Sequence, residues 1–320
     1  MTTAQVKVLA IIGRGRSGST ILDNILGEID GFFSAGEVHN LWKRGLVRGH
    51  SCGCGRSLAT CQVWMDIFDQ VRLRLGGPLP PPERVVEWQD TLVRPSLAAK
   101  LVNETREGVK APLADYVALL DCLYTSIAEV TGARVIVDSS KRPAHAALLH
   151  LPVHISPHFL QLVRDPRAVS YSRTRVKADV DEREMKRDGP VRSALRWRER
   201  NREAELVRRR YSADCSLLMR YEDFVEDPRA SITDILRLVR ETAENPVSQD
   251  KEVLLGENHT AAGNPSRFKR GVMRLRMDDQ WVTGQKLGDR LVVTGLSLPL
   301  LRRYGYRMRV GHETARSQGD

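Results

Sequence analysis

The chain has 320 residues, 28% of them charged, and a formal net charge of +10. That length suits one large domain with a full core, and 6% aromatic content leaves few rings for stacking on single-stranded nucleic acid. No apolar run reaches the roughly 18 residues of a membrane span, and MTTAQVKVLA enters a first strand without the layout of a signal peptide, so a cytoplasmic protein is expected.

Residues 8–12 form an apolar run of strand length, and Gly13, Gly15 and Gly18 follow at once. Ile21, Leu22, Ile25 and Leu26 then recur at helical spacing. A strand, a glycine turn and a helix aim backbone N–H groups and the positive end of a helix dipole at one spot, which suits a phosphate or sulfate. Three patterns compete for the turn. GxGxxG is the dinucleotide fingerprint, and GxxxxGK[ST] is the P-loop, but Ser19 stands where its lysine belongs. In the third, positive charge has moved to Arg14 and Arg16, and Ser17, Ser19 and Thr20 supply hydroxyls. GRGRSGST resembles the 5′-phosphosulfate loop of sulfotransferases that use 3′-phosphoadenosine 5′-phosphosulfate (PAPS). The resemblance implies that Arg14, Gly15, Arg16, Ser17, Gly18, Ser19 and Thr20 bind that cofactor.

A second strand is expected over residues 31–35, ending at Gly36-Glu37. Glu37 lies 19 residues beyond Gly18 (37 − 18), so it suits either a ribose-binding acid or a catalytic base. In tyrosylprotein-type and related bacterial sulfotransferases a Gly-Glu pair follows the anion loop at almost this distance. That likeness implies a base. Next comes HSCGCGRSLATC, with Cys52, Cys54, Cys61 and His50. A Cys3His zinc site is conceivable there. CxC with a third cysteine seven residues on is not a usual zinc-ribbon spacing, so the expectation is a glycine-rich loop with small buried thiols and no metal. With Cys122 and Cys215 the cysteine count is five, odd and sparse, which argues against a disulfide framework. A similar CGCG-type loop recurs in bacterial sulfotransferases.

Helices are expected over 63–75, 83–107 and 112–130, with GGPLPPP as a breaker between the first two. RVIV at 134–137 reads as a short buried strand, followed by DSSK, whose Lys141 can reach an anion beyond a strand end. DSSK resembles a bacterial sulfotransferase motif, which implies that Lys141 stabilises the sulfuryl group and the bridging oxygen. FLQLV at 159–163 is another strand. Arg164 leaves its end, and Ser172 sits eight residues on, two turns into a helix. A guanidinium fork and a hydroxyl suit a terminal phosphate dianion. The pair matches the 3′-phosphate motif of sulfotransferases. Two anion sites, each after a strand, suit a nucleotide phosphorylated at both 5′ and 3′ positions and suit NAD poorly.

Residues 174–211 are crowded with charge, but acids are interspersed, so RWRERNREAELVRRR reads as solvated helix faces rather than a nucleic-acid stripe. Residues 181–189 are expected to loop over the active site. A short strand at 217–219 leads into RYEDFVEDP. This resembles the family's YED motif, which implies Tyr221 near the adenine. A helix is expected over 231–240. Residues 263–281 lack periodicity and read as a lid that orders on an anion. Their GNPSRF resembles a bacterial sulfotransferase segment and makes Arg267 and Arg270 candidate cofactor contacts. A closing helix over 283–303 with a kink at Pro299, and a frayed tail over 311–320, complete the chain.

The expected fold is α/β: a P-loop-like three-layer fold, its central, mostly parallel sheet flanked by helices, in one domain over residues 1–310. The expected activity is sulfuryl transfer from PAPS, with adenosine 3′,5′-bisphosphate as product, to a hydroxyl of a small molecule, lipid or sugar. Glu37 and Lys141 are the catalytic residues, and no metal takes part. A P-loop kinase or ATPase is one rival, with Asp138 as its magnesium ligand and Ser19 counting against it. A non-catalytic binder of nucleotides or polyanions is the other.

Overall fold

The structure, a computed structural model, describes residues 5–174 and 188–308. Most of the expected active-site loop (181–187) and the expected tail (311–320) lie outside the described residues.

A five-stranded sheet forms the centre. Its strands are β1 (Val6–Gly13), β2 (Phe32–Gly36), β3 (Val135–Asp138), β4 (Ile155–Val163) and β5 (Ser216–Arg220), in the spatial order β2-β3-β1-β4-β5. All four pairings are parallel. β1 explains why the apolar runs look continuous rather than alternating. Val8, Ala10 and Ile12 face one hydrophobic layer, and Leu9 and Ile11 face the other. A parallel strand covered on both sides needs apolar residues at every position.

Helices α1 (Ser19–Leu26), α2 (Gln62–Leu75), α3 (Pro82–Leu92), α4 (Ala98–Leu101), α5 (Leu113–Thr131), α6 (Pro143–Ala146), α7 (Pro166–Thr174), α8 (Pro190–Arg210), α9 (Tyr221–Glu226), α10 (Pro228–Leu238), α11 (Trp281–Gly284) and α12 (Leu287–Arg303) surround the sheet. Residues of α2, α3 and α5 pack on the Val8 face, and those of α1, α9 and α10 on the Leu9 face. α8, read from sequence as a solvated rod, is partly a core helix. Ser193, Ala194, Trp197, Asn201, Ala204 and Val207 are buried along it, and their spacing of three and four residues marks one face.

Two stretches depart from the sequence pattern. The helix expected over 83–107 is broken after Leu92, because Pro95 lacks a donor N–H and holds Arg94 extended at φ −73°, ψ 150°. The expected lid contains β7 (Gly271–Arg274), paired antiparallel with β6 (Glu252–Leu255). Its alternating burial, Leu254 and Val272 outward and Val253 and Met273 inward, is too short to stand out in sequence. α12 runs through Pro299 to Arg303.

Candidate active site

Each strand of the sheet delivers functional side chains just beyond its carboxyl end. β1 ends at Gly13 and feeds the Arg14–Gly18 turn. β2 ends at Gly36 before Glu37, β3 at Asp138 before Lys141, β4 at Val163 before Arg164, and β5 at Arg220 before Tyr221. Parallel strands bring all five ends to one edge, which is where an open α/β sheet binds its ligands. A cavity of about 840 Å³ opens there.

The turn after β1 forms its floor. Gly18 caps α1 in the left-handed conformation at φ 84°, and a Cβ on it would lie 2.4 Å from the Tyr221 ring. No other residue fits that contact without movement. Arg16 also sits at positive φ, 76°, a conformation that costs a non-glycine residue about 1 kcal/mol or more and clusters at functional sites. Arg14, Gly15, Arg16, Gly18, Ser19 and Thr20 line the cavity. Ser17 does not. Its buried hydroxyl donates to Arg14 O at 2.7 Å, so its side chain shapes the turn from behind.

Glu37 and Lys141 meet across the β2 and β3 ends, with Lys141 Nζ 2.7 Å from Glu37 Oε1. Lys141 Nζ also donates to Ser139 O at 2.6 Å, and the Asn40 amide donates to Glu37 Oε2. Burial alone would raise the Glu37 pKa. The charges of Lys141 and Arg44 and the two hydrogen bonds outweigh it and hold the group below its usual value. Glu37 is therefore a carboxylate at neutral pH. Arg44 reaches the cavity from a π-helical stretch, Leu41–Val47, which a 3-10 turn (Val38–Asn40) joins to Glu37. Such wide turns are rare and concentrate at functional sites.

Below these groups Asp23 is wholly buried. It accepts hydrogen bonds from Ser34 Oγ at 2.7 Å and Ser139 Oγ at 2.6 Å, so it ties α1 to β2 and to the loop carrying Lys141. Burial, opposed by those bonds, pushes its pKa up to about 7.

Arg164 arrives from β4. Its guanidinium donates to Arg16 O at 3.3 Å and Asp278 O at 2.9 Å, and it stacks over Tyr221 with 4.5 Å to the ring centre. Trp197 Nε1 donates to Arg164 O at 3.0 Å. Ser172, on α7, lines the same cavity. The first glycine turn and the mid-chain arginine and serine thus share one crevice.

The sequence reading missed several cations. Arg142, Arg173, Arg196, Arg200, Lys269 and Arg276 also line the cavity. Arg196 and Arg200 lie four residues apart on one face of α8, a signal present in the sequence but buried among other arginines. Asp188 counters part of this charge, with Arg196 at 2.9 Å, Arg14 at 3.0 Å and Arg173 at 3.3 Å. Partial burial and then the charge of Arg173 lower the Arg14 pKa to about 9 against the pull of Asp188. Arg14 Nε, Arg164 Nε and Arg173 Nε are buried with no hydrogen-bond partner among the described residues. Buried donors without acceptors cost about 1–3 kcal/mol each, and a bound polyanion supplies acceptors. The residues present therefore fit a polyanionic ligand such as a nucleotide phosphate.

Two expected cofactor contacts do not line the cavity. Arg267 is buried behind the lining residue Gly263 and donates to Thr260 O at 2.9 Å and Ser51 O at 2.6 Å. Arg270 is half exposed and pairs with Glu257 at 3.0 Å. Lys269 and Arg276 are the basic residues that this stretch gives to the cavity. Asp138, the rival's magnesium ligand, does not line it either. It is buried and accepts from Tyr124 Oη at 2.7 Å and Ser140 N at 2.8 Å.

The sulfotransferase family profile matches residues 9–244. No curated protein matches the chain. Among solved structures, it is similar to the sulfotransferase domain of the Synechococcus PCC 7002 olefin synthase, at 21% identity and a TM-score of 0.55, covering 93% of this chain and 95% of that one. It is also similar to the sulfotransferase domain from the curacin biosynthetic pathway, at 16% identity and a TM-score of 0.56, covering 97% and 100%. Among the described residues no helix is long and apolar enough to cross a membrane. The five strand ends, the glycine turn and the matched span agree: the chain belongs to the sulfotransferase family.

Proposed function

We propose that this protein transfers a sulfuryl group from PAPS to a hydroxyl of a small-molecule, lipid or sugar acceptor, with residues 1–310 acting as one domain. The observation that supports this reading is Arg164 donating to Arg16 O at 3.3 Å, with Ser172 lining the same cavity: the two candidate anion-binding elements adjoin in one crevice.

When bound, PAPS supplies a sulfuryl group attached to a phosphate leaving group. The chain's own residues then have three tasks. The N–H groups of the Arg14–Gly18 turn and the start of α1, with Arg16, Ser19 and Thr20, hold the 5′ end. Arg164 and Ser172 hold the 3′-phosphate, and Tyr221, braced between Gly18 and Arg164, borders the adenine. Glu37 takes the proton from the acceptor hydroxyl, a contribution typically worth ~10²–10⁴-fold. Lys141 turns from Glu37 toward the oxygen that gains charge, where a fixed cation stabilises the transition state. Transfer of a metaphosphate-like group rests on positioning and charge neutralisation. Arginines and amides supply both, so no metal enters the step.

Calorimetry tests the cofactor without knowledge of the acceptor. Adenosine 3′,5′-bisphosphate is expected to bind, and to bind more tightly than ATP or NAD. Equal or tighter binding of ATP, with magnesium-dependent turnover, would replace this function with that of a P-loop kinase or ATPase.

A further inference from the structure

The cysteine loop that reads as metal-free in sequence closes on a histidine from the far end of the chain. Cys52, Cys54 and Cys61 present their sulfurs to the Nδ1 of His259, not to His50, and the four donor atoms lie within 4.8 Å of one another. Cys61 Sγ is 3.3 Å and Cys52 Sγ 3.9 Å from His259 Nδ1, and Cys54 Sγ is 3.8 Å from Cys61 Sγ. A tetrahedral zinc ion with bonds of about 2.3 Å to sulfur and ~2.0 Å to nitrogen sets ligand atoms roughly 3.8 Å (S···S) and ~3.5 Å (S···N) apart. The three separations lie within about 0.4 Å of those edges. A disulfide would need its sulfurs at about 2.05 Å, far inside what is seen.

The surroundings are those of a metal shell. Burial pushes the Cys52 and Cys61 thiols up, opposed by the backbone N–H groups of Cys54 and Trp64, which point at the two sulfurs, so a bound cation is what would make them thiolates. The other nitrogen of His259, Nε2, faces Glu257 Oε1 at 4.0 Å. At that distance the carboxylate lies beyond hydrogen-bond reach, so it adds negative charge behind the ring without fixing its tautomer. Trp64 Nε1 donates to His259 O at 2.7 Å, which fixes the backbone of the fourth ligand. Cys52 and Cys61 are buried, whereas Cys54 and His259 are partly exposed and leave an approach from solvent.

We infer that Cys52, Cys54, Cys61 and His259 form a structural zinc(II) site that clamps the cysteine loop to residues 257–262. Three thiolates and one imidazole are the donor set of a closed structural site, with no open position for chemistry. Two further links already span the same gap. Gly53 N donates to Thr260 O at 3.0 Å, and Arg267 bridges Ser51 O and Thr260 O. A Cβ on Gly53 would fall 2.8 Å from Asn258 O, so the two strips of backbone meet face to face. Beyond them, Ala261 N donates to Ala35 O and Glu37 N to Ala262 O, both at 2.9 Å. The clamp thus supports the strand end that carries Glu37.

The test is elemental analysis of the full chain purified without chelator. About one zinc per chain is expected, as for structural sites whose binding energy is folding energy. Cys61→Ser and His259→Ala are expected to lose most of it and to melt at lower temperature, while Cys122→Ser, outside the cluster, keeps it. Should the first two variants fail to fold, the wild-type chain answers alone. A mercurial thiol reagent should release zinc to a colorimetric chelator, and Cys52, Cys54 and Cys61 should resist mild alkylation until it does. Zinc far below one equivalent with no uptake on dialysis against zinc chloride overturns the site. So does a Cys54–Cys61 disulfide by mass spectrometry, or stoichiometric iron in its place. None of these readouts depends on sulfuryl transfer.

Discussion

Lys141 Nζ lies 2.7 Å from Glu37 Oε1, so the cation and the base of the candidate site neutralise each other before any acceptor arrives. Glu37 must be ionised to act, and its pKa is held low against burial chiefly by Lys141. Activity in the wild-type chain should therefore persist to acid pH. In Lys141→Ala burial is left less opposed, so the acid limb of kcat/KM should move to higher pH while kcat falls ~10²–10³-fold, as for loss of one preorganised charge stabiliser. An unmoved acid limb would show that Lys141 does not tune Glu37.

Glu37→Gln keeps the shape and removes the base. Its affinity for adenosine 3′,5′-bisphosphate should stay within a few-fold, and turnover should drop by about 10²–10⁴. Single-turnover measurement separates the two effects. A variant that transfers sulfate at the wild-type rate would falsify the assignment of Glu37 as base.

Arg164→Lys trades a planar fork for a point charge, which is not conservative at a phosphate. Affinity for adenosine 3′,5′-bisphosphate should fall roughly 10–100-fold, the range for charge-assisted hydrogen bonds. Adenosine 5′-monophosphate, which lacks the 3′ group, should lose little. Equal losses for the two ligands would mean that Arg164 holds something other than the 3′-phosphate.

Gly18→Ala and Gly15→Ala differ by one methyl at two neighbouring sites and should part sharply. At Gly18 the methyl meets the Tyr221 ring at 2.4 Å on left-handed backbone, whereas at Gly15 the nearest atom is the flexible Arg173 guanidinium at 3.5 Å. The first should cost on the order of 1–3 kcal/mol of stability or an equivalent loss of nucleotide affinity. The second should be close to neutral. Urea unfolding and bisphosphate titration of both variants decide it.

Asp23 gives a pH signature. Its folded pKa of about 7 stands above the usual carboxylate value, near 3.9 in an unfolded chain. Between those values the folded state holds the extra proton. The contribution is thus fully present below about pH 4 and is lost as pH rises through about 7. Asp23→Asn does not titrate, so its urea midpoint should change less between pH 5 and 8. A wild-type midpoint that rises over this interval because of Asp23 would contradict the sign.

Much of the site was legible because it depends on local order. A strand end followed by a glycine turn, Glu37, Lys141, Arg164 or Tyr221 can be recognised within about ten residues. What stayed hidden depends on distance along the chain. His259 stands 198 positions from Cys61, and no spacing rule connects them. Arg267 and Arg270 look equivalent in a basic stretch, but neither reaches the cavity, and Lys269 between them does. The π-helical stretch at Leu41–Val47 leaves no propensity mark in LWKRGLV, whose residues suit an ordinary helix as well.

The lining of the cavity has one more implication. Arg14, Arg16, Arg44, Lys141, Arg142, Arg164, Arg173, Arg196, Arg200, Lys269 and Arg276 face Glu37, Glu199 and Asp278 there, eleven cations to three acids. Asp188 offsets Arg14, Arg173 and Arg196 from behind, but an excess of positive charge stays, and a fitting polyanion relieves its mutual repulsion. Spent nucleotide should then linger, making departure rather than chemistry the slow event, and added salt should hasten turnover before it weakens capture.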